Sequence, residues 1–191
     1  MKTLFLLLAA LPVFAQVELH LTFGVLQKVI AAQVFSEDGR RYVKGNKDKR
    51  CSFAYLENPR VGEANGRLVV RAKFSGRSAL DVFSRCVGMG DSFDVIVRMT
   101  PYADKSILRL RDVEVVSDGR NGMYSRAVCK ALAETVPRVL VYDFAPDFKR
   151  ALEAEHPSVP FAKKVDDLAV QSIRVSKDAL VLQLALKLTL R

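Results

Sequence analysis

The chain has 191 residues, half of them apolar, with 30 Lys and Arg against 21 Asp and Glu and a net charge of +9. This apolar fraction excludes disorder, and the length suits one domain with a substantial core. Trp is absent and the basic residues are not interleaved with aromatics, which excludes a nucleic-acid stacking platform and leaves anionic partners such as phospholipid headgroups, lipopolysaccharide phosphates or an acidic protein.

The chain opens with Lys2, an unbroken apolar run from Leu4 to Leu11, the helix breaker Pro12, and small residues at Val13 and Ala15. That order predicts an export signal cleaved before Gln16, because the run is far shorter than the about 20 apolar residues of a membrane span. Residues 1–15 are therefore expected to be removed, leaving residues 16–191 as a single periplasmic or secreted domain. No Cys follows the cleavage point to carry a lipid, and losing Lys2 lowers the net charge by one.

Next, Leu26, Ile30 and Val34 recur every fourth residue with Val25 and Val29 beside them, so residues 23–35 read as an amphipathic helix capped by Thr22. Residues 36–50 carry Arg40, Arg41, Lys44, Lys47, Lys49 and Arg50 with Gly39 and Gly45. This is the composition of a solvated loop, which serves either solubility or contact with an anionic surface.

From Cys51 the period changes to two. A first strand covers residues 52–58. In the second, Leu68, Val70, Ala72 and Phe74 face one way and Arg67, Arg71 and Lys73 the other. The third turns Phe93, Val95, Val97 and Met99 inward and Asp94 and Arg98 outward. In the fourth, Leu108 and Leu110 are out of phase with Val113 and Val115, as a bulge near Arg111 and Asp112 produces.

Three cysteines in an oxidising compartment suggest one bridge and one spare thiol. Three pairings, and none, are compatible with the spacing. Cys51, opening a strand, and Cys86, in the loop beyond the strand that pairs with it, are the favoured partners. Cys129 falls in a helical stretch and reads as a small buried hydrophobe.

That stretch carries Tyr124, Val128, Leu132, Val136 and Leu140, then Phe144, Phe148 and Leu152. It predicts one long helix kinked or broken at Pro137 and Pro146 and ended by residues 156–160. A hairpin of residues 168–175 and 179–190 closes the chain. Its last strand places Leu180, Leu182, Leu184, Leu186, Leu188 and Leu190 on one face, with Gln183, Lys187 and Thr189 on the other. Together these elements make an α+β domain in which an antiparallel sheet buries one face on helices.

No catalytic inventory emerges. His20 and His156 stand outside any motif, no His pair has metal-ligand spacing, and neither a nucleophile elbow nor a Walker loop is present. Gly88 and Gly90 read as a turn, and Asp166 with Asp167 as another. The expectation is a non-enzymatic protein without metal, cofactor or nucleic-acid partner.

Three stretches, residues 55–77 (YLENPRVGEANGRLVVRAKFSGR), 107–116 (ILRLRDVEVV) and 175–184 (VSKDALVLQL), resemble small bacterial envelope proteins of the tubular lipid-binding superfamily. Those are single modules related to the halves of bactericidal permeability-increasing protein. The resemblance implies a curved antiparallel sheet wrapped as a half-barrel around a long, Pro-interrupted helix, with an elongated apolar groove for acyl chains. On this chain the groove would be lined by Val25, Leu26, Val29, Leu68, Val70, Phe74, Phe93, Val95, Val97, Leu108, Leu110, Leu180, Leu182, Leu184 and Leu186. The expected function is an exported module that binds a lipid or other apolar small molecule, with an anionic membrane surface or an envelope protein as a further partner. The alternative is a structural or adaptor protein of the envelope with a filled core.

Overall fold

The computed structural model describes residues 15–154 and 162–190. The expected export signal up to residue 14, and His156 with the rest of the segment 156–160, lie outside the described residues. The elements are β1 (Ala15–Thr22), α1 (Phe23–Gln33), β2 (Arg40–Lys44), β3 (Ser52–Ala64), β4 (Arg67–Val82), β5 (Arg85–Asp104), β6 (Ile107–Ser117), α2 (Met123–Val139), β7 (Tyr142–Asp143), α3 (Ala145–Glu153), β8 (Lys163–Val175) and β9 (Ala179–Leu190). The fold is α+β: a strongly curled six-stranded sheet, β2-β3-β4-β5-β6-β7, and a three-stranded sheet, β1-β9-β8, both antiparallel.

α1 begins as its sequence dictates. The Thr22 hydroxyl accepts a hydrogen bond from the Val25 amide at 3.5 Å, and the stripe Phe23, Leu26, Ile30 and Val34 rests on the inner face of the large sheet. α2 lies on the same face. Its Leu132 packs among Leu56, Phe74, Phe93 and Val95, and its Val136 among Leu68, Val70, Val97 and Met99.

The expected long helix is two helices. Pro137 sits in the last turn of α2, where its missing N–H leaves only the Ala133 carbonyl without its helical donor and the helix ends two residues later, and Pro146 is the second residue of α3, where a missing donor leaves no hydrogen bond unmade. Between them Tyr142 and Asp143 pair with Leu108 and Ile107, so the chain leaves the helical path to finish the sheet. α3 then packs Phe148 and Leu152 against the small sheet.

Residues 40–44, expected as loop, form the edge strand β2. Arg40 pairs with Glu57 at 3.3 Å and lies 4.5 Å from the Tyr55 ring, and Tyr42 and Tyr55 meet at 5.4 Å. These cross-strand contacts outweigh a turn-like composition, and the cations keep the free edge from pairing further. β1 is a strand the sequence reading passed over. It sets Val17, Leu19 and Leu21 opposite Leu184, Leu182 and Leu180.

Register shifts explain the irregular patterns. On β6 the extra residues at Asp112 and Val113 form the expected bulge, with Asp112 at φ 52°. Arg67 braces it, donating to the Asp112 carbonyl and pairing with Glu114 at 3.1 Å. On β8, Asp166 and Gln171 are each bulged out, so Val165, Leu168, Val170 and Ile173 stay on one face despite uneven spacing. Asp166 and Asp167 are therefore strand residues of β8 and not a turn, and Thr189 donates to Asp166.

Cys51 and Cys86 form the disulfide, and Cys129 is a buried free thiol. Burial pushes the Cys129 thiol up, which leaves less thiolate at neutral pH. In a peptide map without reductant, Cys129 should be alkylated only after denaturation; rapid labelling of the folded protein would contradict this packing.

Candidate functional site

Two regions hold the residues that the sequence singles out. The first is the apolar interior. Leu68, Val70, Phe74, Phe93, Val95 and Val97 are buried on the inner face of the large sheet, and Leu180, Leu182 and Leu184 are buried on β9. They do not share one surface. Leu182 and Leu184 pack with Phe144, Val165, Leu168 and Val170, apart from the clusters beneath α1 and α2. Leu108 and Leu110 are half-buried on β6, one beside each set, and Leu186 is half-buried further along β9.

α1 is the thinnest part of this enclosure. None of its eleven residues is fully buried: Leu26 is half-covered, while Val25 and Val29 are 48% and 37% exposed. The helix is held by one stripe, so it is the cheapest layer to displace.

α2 is held more firmly at its start. Tyr124 lies 6.4 Å from the Phe74 ring, and a Cβ at Gly76 would fall 2.7 Å from that ring and 2.9 Å from the Tyr124 hydroxyl, so a larger residue there would push the two rings aside. Burial, with Asp91 nearby, raises the Tyr124 phenol above its ordinary value. The neutral phenol is thus favoured in the folded state. Stability from this group is complete below about pH 10 and is lost as pH rises through the raised folded value. Thermal unfolding followed through that window should show the loss, and Tyr124→Phe should reduce it.

The second region is the end of the large sheet where β4 and β5 extend past their neighbours. β3 starts at Ser52, opposite Ser78, and β6 ends at Ser117, opposite Val95. Cys86, expected in a loop, lies within β5 opposite Asp81, and Gly88 and Gly90 are strand residues as well. A Cβ on Gly88 would lie 2.4 Å from the Ser78 carbonyl oxygen, so the two strands meet where only Gly fits. The Cys51 and Cys86 Cα atoms are 5.2 Å apart, although strands flanking β4 in a flat sheet would stand roughly 10 Å apart. The sheet end is therefore folded over. Beneath the fold is an open cavity of about 360 Å³ lined by Phe53, Tyr55, Ser75, Arg77 and Asp91.

No protein-family model, curated protein or solved structure matches this chain. A functional reading therefore rests on the two regions themselves.

Of the basic residues expected to meet an anionic surface, Arg40, Arg41 and Lys44 belong to β2, with Arg40 already engaged by Glu57 and Tyr55. Lys47, Lys49 and Arg50 occupy a tight turn in which the Asn46 side chain accepts from the Asp48 amide at 3.1 Å and its carbonyl accepts from Lys49. The turn runs into Cys51, whose carbonyl accepts from Ala79 at 2.8 Å, so these cations are held beside the β4–β5 extension.

The extension itself was missed in the sequence. Leu80, Val82, Phe83, Val87 and Met89 are all exposed there, with Phe83 97% exposed at the turn. Their alternation around residues 83–84 was the available signal, masked by Ser, Gly and Asp residues on either side. His20 is exposed on β1 beside Glu18. Among the described residues, no helix is long and apolar enough to cross a membrane.

Proposed function

We propose that this chain is an exported, non-enzymatic binding module that receives an acyl chain between α1 and the inner face of the six-stranded sheet. The observation that carries the reading is α1 itself: a predominantly apolar helix that lies on an apolar sheet yet buries none of its residues completely. An acyl chain entering beneath it would cover Phe23, Leu26 and Ile30 together with Val61, Leu110 and Val113, all left half-buried by the protein alone. Each methylene so buried favours binding by about 0.8 kcal/mol. The curled antiparallel sheet with helices on its inner face is compatible with the half-barrel of the tubular lipid-binding superfamily. The disulfide is in keeping with an oxidising compartment.

A specific observation favours the adaptor reading instead. Phe74, Val95, Leu182 and Leu184 are sealed to within 2% of full burial by protein side chains, as in a filled core. Native mass spectrometry of the purified protein separates the two readings. A reproducible added mass that extracts into organic solvent is the expected result; a clean unliganded mass under gentle conditions would leave the adaptor.

A further inference from the structure

We propose that the β4–β5 extension and the basic turn clamped to it form one docking surface for the headgroup region of an anionic phospholipid bilayer. This goes beyond the acyl-chain reading and holds whether or not the interior takes up a ligand.

From Ala79 to Gly88 the two strands run with neither β3 nor β6 alongside. On one face of this ribbon Leu80 stands opposite Val87 and Ser78 opposite Met89, and Phe83 caps the end. Leu80 and Met89 are 75% and 69% exposed. Such a cluster on a projection, away from every packed cluster of the fold, marks an interaction site.

The turn at the tip gives an independent indication. Phe83 and Ser84 have φ of 49° and 65°, the left-handed pair that a two-residue hairpin turn requires. The β3–β4 hairpin meets the same need with Asn65 and Gly66, at φ 55° and 73°. A bulky aromatic in that conformation is strained, so Phe83, the most exposed large hydrophobic among the described residues, stands against backbone preference.

Charge selects the partner. Lys47, Lys49, Arg50, Arg77 and Arg85 outnumber Asp48, Asp81 and Asp91 around the extension, on a chain of net charge +9. An apolar tip collared by cations complements an anionic bilayer interface. A ribbon two strands wide offers a protein partner little of the roughly 800 Å² per side of a stable interface. Depth is limited too. The ribbon's unpaired backbone edges need water, so the tip enters the hydrated headgroup layer without crossing into hydrocarbon.

The chain contains no Trp, so Phe83→Trp places a single fluorescent reporter at the tip. With vesicles of phosphatidylcholine mixed with phosphatidylglycerol its emission should shift to the blue, and about 0.5 M salt should reverse the shift. Replacing the strained pair by Phe83→Asn with Ser84→Gly should raise the melting temperature while weakening vesicle binding about tenfold or more. Charge reversal by Lys47→Glu, Lys49→Glu and Arg50→Glu should weaken it similarly. The proposal is overturned by indole emission that stays aqueous while the protein sediments with vesicles, by wild-type binding in the Asn-Gly variant, or by equal binding to pure phosphatidylcholine. It is equally overturned by a blue shift that depends on protein concentration without vesicles, which would make the extension a contact between copies of this chain.

Discussion

Leu184→Ala should lower the free energy of unfolding by about 2 to 5 kcal/mol. Leu184 is fully buried, pairs across β9 with Val17 on one side and Val170 on the other, and packs beside Phe144, Leu168 and Leu182. Truncation leaves a void bounded by two strands and by α3, and paired strands cannot close it cheaply. Leu190 is the internal control. It shares the strand and the alternation but is 55% exposed, so Leu190→Ala should change stability by less than about 0.5 kcal/mol. Denaturant unfolding of both variants checks the contrast. Leu184→Trp should cost about 1 to 3 kcal/mol, because the cluster around Leu184 is filled and lies apart from the space beneath α1.

Removing the disulfide should have a comparable effect. Cys51 and Cys86 are separated by 35 residues, and in the chain-entropy picture closing such a loop is worth about 3 to 4 kcal/mol. Cys51→Ser with Cys86→Ser should therefore lower stability by that order, as measured against the oxidised wild type. A second consequence concerns shape. The bridge fastens the Lys47–Arg50 turn to the β4–β5 extension across β4, with the Ala79 to Cys51 hydrogen bond as the other tie. Without the bridge, the turn should become the first site of tryptic cleavage at Lys47, Lys49 or Arg50, before global unfolding. If cleavage is unchanged, the hydrogen bond and β3 pairing alone hold that end.

Local patterning made much of the fold legible. The Thr22 cap, the α1 stripe, the strand faces of Leu68 to Phe74 and Phe93 to Met99 and the bulge at Asp112 all follow from spacing and turn chemistry over a few residues, whereas the Cys51–Cys86 pair is favoured among open alternatives by its place at strand ends. Tertiary contacts decided the rest. β2 is a strand because Glu57 and Tyr55 lie across from Arg40 and Tyr42, and residues 140–144 leave the helical path because the edge of β6 is open to them. The six Leu of β9 look equivalent in sequence, yet Leu180, Leu182 and Leu184 are buried while Leu188 and Leu190 are exposed. Alternation determines which way a side chain points, but what covers it depends on elements far along the chain. α3 packs in the cluster that takes in Leu182, Leu184 and Leu186 and does not include Leu188 or Leu190. The same limit hid the extension: Ser, Gly and Asp residues around it read as loop, and only the ends of β3 and β6 leave Leu80, Phe83, Val87 and Met89 bare.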